Sequence, residues 1–271
     1  MTTLLLVGCG KMGRALLDGW LADGVADRVV VVEPSADAVP DDSRIAAVTN
    51  AAVIPVDFRP DVVILAVKPQ AMDAVIADYA RFTGVCGPAP ALVVSIAAGK
   101  TLDYLQARLG GATTPVVRVM PNTPAAVGRG MSVLVANAAV DPGRRQLAQR
   151  LMQAVGEVAW IEQEPLIDVV TALSGGGPAY VFLLIEVLAK AGEAAGLSGD
   201  LAMRLARATV TGSGELAHRS AESAEQLRRN VTSPGGTTLA ALQVLMASDG
   251  LQPLFDRAIA AATARSRELA Q

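Results

Sequence analysis

Three stretches of this chain gather backbone donors, hydroxyls or a lone cation in patterns that suit anionic ligands. The first, Gly8-Cys9-Gly10-Lys11-Met12-Gly13, follows the apolar run Leu4-Leu5-Leu6-Val7 and leads into a helical pattern over 14–22. Gly-x-Gly-x-x-Gly is weak alone, but between a strand and a helix it is the fingerprint of a dinucleotide-binding βαβ unit. Gly8 would make the tight turn, Gly10 would admit a pyrophosphate to the backbone, and Gly13 would let helix and strand pack closely. Cys9, Lys11 and Met12 complete the loop, and the helix N-terminus adds N–H groups and the positive end of its dipole. The alternative is a glycine-rich turn that binds nothing. Glu33 falls 20 residues after Gly13, where this fold places an acid on a ribose 2′-hydroxyl.

The second stretch is Val231-Thr232-Ser233-Pro234-Gly235-Gly236-Thr237-Thr238, which opens a helical pattern beginning Leu239-Ala240-Ala241-Leu242. Hydroxyls and backbone N–H groups converging on one turn make an anion site. An N-cap by Ser233 or Thr237 would explain one hydroxyl, but not two adjacent glycines beside four of them. The anion here should belong to a second substrate, for example a carboxylate. The third stretch, Ala66-Val67-Lys68-Pro69-Gln70, ends a buried strand, and ligands of open α/β sheets sit at such ends. Lys68 can face a phosphate, a substrate carboxylate or plain solvent.

Other chemistries lack their residues. One histidine, His218, argues against a multi-histidine metal site and against a Ser-His-Asp triad. Cys9 and Cys86 are the only cysteines and show neither metal spacing nor a disulfide framework, so no metal is expected. A net charge of −3 gives no general attraction to nucleic acid or anionic membrane. The N-terminus has no basic n-region and reads as no signal peptide. The later apolar stretch 179–191 is interrupted by Glu186 and Lys190 and is too short for a membrane span. A cytoplasmic location is expected.

The elements that must position these residues alternate. Strands are expected near 4–7, 28–32, 44–48, 61–67, 92–96, 115–120, 131–136 and 158–161, most of them β-branched runs of the kind that parallel sheets bury. Helices are expected at 70–79, opened by Pro69, and at 102–109 and 142–154. This predicts a Rossmann-type doubly wound α/β sheet over residues 1–162. No strand is legible from Glu164 onward, so 163–271 is expected to be an all-helical domain. Its helix starting at Pro178 is apolar nearly all round, which implies burial on every side and points to a second subunit.

In order along the chain, Gly8 to Gly13, Ala66-Val67-Lys68-Pro69-Gln70, Arg118-Val119-Met120-Pro121-Asn122-Thr123-Pro124, residues 172–180 and residues 231–238 resemble the successive signatures of the pyrroline-5-carboxylate reductase family. The resemblance covers nearly the whole chain; the segment Thr232 to Thr238 is its most specific part. One departure is Gly176, where the family commonly has serine. The resemblance implies reduction of the cyclic imine 1-pyrroline-5-carboxylate to L-proline by NADPH or NADH. It further implies a helical domain that interlocks with a second copy, dimers that assemble into larger rings, and a substrate site between subunits. On that basis Thr238 is expected to hydrogen-bond the imine nitrogen, and Ser233, Gly235, Gly236 and Thr237 to hold the carboxylate. Lys68-Pro69-Gln70 and Asn122-Thr123-Pro124 would wall the nicotinamide end.

Two points stay open at this level. Glu33 argues for NADH, whereas Ser35 and the turn after it could receive the 2′-phosphate of NADPH, towards which the resemblance also leans. β-Hydroxyacid dehydrogenases share the two-domain plan, but they need a lysine early in the long helix. Here Lys190, the only lysine after Lys100, comes late in it.

Overall fold

The computed structural model describes residues 1–83 and 90–270; Cys86 lies outside the described residues. Eight strands form one sheet: β1 (Thr3–Val7), β2 (Arg28–Val32), β3 (Ile45–Val48), β4 (Val62–Leu65), β5 (Leu92–Ser95), β6 (Val116–Met120), β7 (Gly130–Ala136) and β8 (Gly156–Trp160). Their order is β3-β2-β1-β4-β5-β6-β7-β8. All neighbours are parallel except β6 and β7. The chain between those two holds only a 3₁₀ turn, Thr123–Val127, and a parallel return needs a full crossover of a dozen residues or more. The reversal is therefore forced by the short connection.

Strand residues alternate between two apolar layers, as the pleat requires. Leu4, Leu6, Val29, Val31 and Ile64 face helix α1 (Lys11–Asp23) and α4 (Pro142–Gln153), where Trp20 donates its indole N–H to the Leu151 carbonyl at 2.8 Å. Leu5, Val7, Val30, Val63 and Leu65 face α3 (Leu102–Leu109) and the segment after Pro69. That segment departs from the expected helix over 70–79. It is 3₁₀ over Pro69–Ala71, α only in α2 (Met72–Val75), and 3₁₀ again over Ile76–Phe82. Its buried residues Ile76, Tyr79 and Phe82 recur every third position, so three residues per turn put all of them on the core face, where 3.6 would rotate them away. Burial pushes the Tyr79 hydroxyl up to about 12.

No strand follows Trp160 among the described residues. Helix α5 (Leu166–Val170) runs into a π turn, Thr171–Gly175, and α6 (Gly177–Ala194), α7 (Gly199–Arg219), α8 (Ala224–Asn230), α9 (Thr237–Leu245) and α10 (Leu251–Leu269) follow. The chain forms two compact units, Met1–Gly175 with Ala262–Gln271, and Gly176–Ala261. Loss of strands and change of unit thus fall at different places. The segment 163–175 still packs with the sheet unit, with Ile167 wholly buried there. The end of α10 rejoins it, and Ser266 donates to Asp168 at 2.7 Å.

In the helical unit α6 meets α7 through small side chains, Ala189 against Ala202 and Ala206, with Ile185 beside them. Within a single chain α6 is not covered on every side. Ala189 alone of its residues is buried, while Phe182 is 59% and Leu183 56% exposed. Its own unit supplies one close helical neighbour along the small-residue stripe, too little to cover an all-round apolar surface.

Candidate active site

In a sheet ordered 3-2-1-4-5-6 the winding reverses between β1 and β4, and the crevice at their C-terminal ends is where dinucleotides lie. The glycine loop leaves β1 at that point and Ala66-Val67-Lys68-Pro69 leaves β4 beside it. Gly8 has φ +91°, and a Cβ there would stand 2.9 Å from the Ala66 carbonyl oxygen and 3.1 Å from Val67 Cγ1. A Cβ on Gly13 would stand 2.4 Å from the Gly8 carbonyl oxygen. Over Gly10, by contrast, nothing lies within 4 Å of the Cβ position. The two outer glycines are needed for packing, and the middle one leaves open space at the backbone. That is the cradle a pyrophosphate needs, so the residues fit a dinucleotide.

Helix α1 starts without a side-chain cap and without an acid in its first turn. Its first hydrogen bond runs from Arg14 N–H to the Gly10 carbonyl at 2.8 Å, so the earlier amides are the orphan donors of a helix start. Cys9 is buried, and its thiol lies 3.3 Å from the Ala38 carbonyl. Burial pushes that thiol up, Arg14 opposes the shift and Glu33 adds to it, which leaves a packed filler rather than a nucleophile. Glu33 turns back onto the loop: its Oε2 accepts from Cys9 N–H at 2.8 Å and its Oε1 from Ser35 N–H at 3.1 Å. Lys11, Ser35 and Lys68 are exposed; Met12 and Pro69 are half-buried.

Asn122 behaves differently from the expected cofactor wall. Its Oδ1 accepts from Met131 N–H at 2.8 Å, and its Nδ2 donates to the Ser174 carbonyl at 3.2 Å and to Ser174 Oγ at 3.3 Å. The amide is thus committed to fastening the end of β6 to β7 and to the π turn. A cofactor contact would have to come from backbone or from a reoriented side chain.

The remaining expected residues lie in the other compact unit, between α8 and α9. Gly236 is the N-cap of α9, which has no side-chain cap and no acid in its first turn. The capping alternative therefore fails for Ser233 and Thr237. Thr232 donates its hydroxyl to the Arg228 carbonyl at 2.6 Å and is used in ending α8. Among the described residues, the hydroxyls of Ser233, Thr237 and Thr238 make no hydrogen bond, and all three side chains are exposed. Gly235 has φ +69°, a conformation that favours glycine, and Gly236 N–H closes the turn on the Ser233 carbonyl at 3.0 Å. Other helices treat their starts differently: Thr101, Asp141 and Ser223 each cap their own helix. Helix α6 shares the uncapped, acid-free start, but it carries Pro178 in its first turn.

Sequence reasoning missed one pair. Arg118 is 3% exposed in the middle of β6, and its Nη1 meets Glu164 Oε1 at 2.8 Å. The same oxygen accepts from Leu102 N–H, the start of α3, at 2.8 Å. The signal was present, because an arginine inside Val-Val-Arg-Val-Met requires a counter-ion if the strand is buried. Which acid supplies it was not readable from spacing.

Residues 164–269 match the family model described as pyrroline-5-carboxylate reductase dimerisation, and residues 3–99 match that described as NADP oxidoreductase, coenzyme F420-dependent. A pyrroline-5-carboxylate reductase of Pseudomonas aeruginosa is 42% identical, over 99% of this chain and 97% of its own length. The chain belongs to the pyrroline-5-carboxylate reductase family. The structure of a pyrroline-5-carboxylate reductase from Coxiella burnetii superposes with a TM-score of 0.90 at 36% identity, covering 100% of this chain and 99% of that one. One from Plasmodium falciparum, solved with NADP bound, superposes with a TM-score of 0.81 at 28% identity, covering 100% and 98%. In this family setting the departure at Gly176 can be placed. Its φ of −80° and ψ of −18° lie in the right-handed helical region, which a serine also adopts, so the joint before α6 does not itself demand glycine there.

Proposed function

We propose that this chain is a pyrroline-5-carboxylate reductase, which reduces the C=N bond of 1-pyrroline-5-carboxylate to give L-proline, the last step of proline biosynthesis. The observation that carries the reading is the start of α9. It is an uncapped, acid-free helix end with three unengaged hydroxyls, on a chain that also has an open dinucleotide cradle at Gly10. One site suits the phosphates of NAD(P)H and the other a small carboxylate.

Bound NAD(P)H supplies the hydride, from C4 of its nicotinamide to the C=N carbon. The chain's own residues bind and orient. Gly8 to Gly13 hold the pyrophosphate on the loop amides, and Ala66 to Pro69 flank the same crevice. The N–H groups of the first turn of α9, with the hydroxyls of Ser233 and Thr237, receive the carboxylate. Thr238 holds the imine nitrogen, to which one proton must be delivered as the hydride arrives; its hydroxyl positions that nitrogen or relays the proton from water. Lys190 is exposed, late in α6, and has no part in this scheme, in contrast to the lysine of β-hydroxyacid dehydrogenases.

The reading includes a homodimer built on residues 163–271, with larger rings of dimers, in the cytoplasm. The exposed apolar face of α6 supports it, because Val181, Phe182, Leu183, Leu184, Val187 and Leu188 are all solvent-facing in one chain, and soluble monomers rarely leave such a patch uncovered. By length and composition alone, 166–194 would also suffice to cross a membrane. The π turn at Thr171–Gly175 interrupts that run, and its residues fall within the match to the dimerisation model. Leu184→Glu is expected to shift the sedimentation coefficient towards the monomer and to reduce turnover. A wild-type chain that sediments as a monomer at micromolar concentration would remove the dimer.

The deciding assay follows NAD(P)H absorbance with synthetic 1-pyrroline-5-carboxylate. Dinucleotide oxidation matched by proline formation is the expected result. Oxidation with a 3-hydroxyacid couple but none with the imine would instead favour the hydroxyacid class.

A further inference from the structure

We propose that Glu33 selects against a 2′-phosphate, so that this chain takes NADH in preference to NADPH. The inference rests on the reductase reading and names which form of its cofactor the site favours.

Glu33 stands at the C-terminal end of β2, one strand away from the loop that leaves β1. Its carboxylate is not adrift in solvent. Cys9 N–H and Ser35 N–H each donate to one of its oxygens, at 2.8 and 3.1 Å. Two backbone donors fix the group against the glycine loop, and each oxygen keeps a further lone pair for a ribose hydroxyl. A 2′-hydroxyl can donate to it. A 2′-phosphate cannot, and would bring a second anion against the first.

The features that could offset that repulsion are otherwise committed. The Ser35 amide, which could have received a phosphate, already donates to Glu33. The helical turn behind it is only three residues long, Ala36–Ala38, and has Asp37 in its first turn. From residue 33 to residue 43 the chain contains Glu33, Asp37, Asp41 and Asp42 and no lysine or arginine. The arginines on either side are engaged. Arg14 holds both oxygens of Asp18 at 2.8 Å. Arg44 holds Asp42 at 2.8 and 3.0 Å and donates to the Leu21 carbonyl at 2.9 Å. Lys11, exposed at the first position of α1, is the loop's own cation. In this proposal it serves the pyrophosphate, where both dinucleotides carry the same charge.

The test is equilibrium titration of the full chain with NADH and with NADPH, read by nicotinamide fluorescence, with no imine present. Like charges brought together cost enough that NADH should bind about 10-fold or more tightly than NADPH. Glu33→Gln, which keeps the shape and removes the charge, should narrow that ratio mainly by tightening NADPH. Retained NADH binding by the variant shows that the loop is still folded. Lys11→Ala should weaken both dinucleotides alike. NADPH binding as tightly as NADH to the wild type would overturn the selection and leave the reductase reading intact. A wild-type preference that Glu33→Gln leaves unchanged, or that Lys11→Ala abolishes, would take the selection away from Glu33. Binding of neither dinucleotide would overturn both readings.

Discussion

Thr238→Ala is expected to lower kcat/KM for the imine by roughly 10- to 1,000-fold, the range for loss of one positioned polar group in a general acid–base or electrostatic role. The side chain is exposed in the first turn of α9 and makes no hydrogen bond among the described residues. Removing it therefore strands no partner within the fold, and the melting temperature should stay close to that of the wild type. Dinucleotide affinity should also hold, because the glycine loop belongs to the other compact unit. Loss of turnover with stability and cofactor binding intact is the signature of a residue that touches substrate. Thr238→Ser, which keeps the hydroxyl, should recover most of the rate. A folded Thr238→Ala enzyme with unchanged turnover would remove Thr238 from the mechanism.

Glu164→Ala is expected to destabilise the sheet unit by about 3–5 kcal/mol, the cost of stranding a buried charge by deleting its partner. Arg118 is 3% exposed, and its Nε and Nη2 have no hydrogen-bond partner among the described residues. The contact to Glu164 is therefore the neutralising one. The same carboxylate oxygen also holds the first amide of α3, so the deletion uncaps a helix as well. Denaturant unfolding followed by tryptophan fluorescence reads this unit directly, since both tryptophans, Trp20 and Trp160, lie within it. Arg118→Met removes the charge instead of stranding it and should cost clearly less than Glu164→Ala. A loss below about 1 kcal/mol for Glu164→Ala would show that water reaches and solvates Arg118.

Much of this molecule was legible because its signals are local. Most strands of the sheet are short runs of apolar, often β-branched side chains, and those runs need no distant partner to be read. The glycine spacing in Gly8 to Gly13 reports a backbone path within six residues. The match between expectation and geometry there is close: Gly8 and Gly13 are crowded and Gly10 is open. The Ser/Thr/Gly turn before α9 was legible for the same reason, down to the failure of simple capping to account for it.

What tertiary structure decided depends on pairings that no window of sequence contains. The reversed strand β7 follows from the length of one connection and the place where β6 had room for a neighbour. The segment after Pro69 became 3₁₀ because three buried side chains had to share one face of the core. Asn122 reads as a cofactor contact by motif, yet its amide is committed to Met131 and Ser174, the latter 52 residues away. Glu164 became the counter-ion of Arg118 across 46 residues. Composition made α6 an all-round apolar helix; the fold of one chain left most of it exposed. By itself, then, the sequence determined the glycine fingerprint after β1 and the Ser/Thr/Gly turn before α9, since both are built from contiguous backbone. Only the tertiary structure decided which polar groups remained unengaged to act there, because a hydrogen-bonding side chain is available for ligand only after the folded chain has claimed the others.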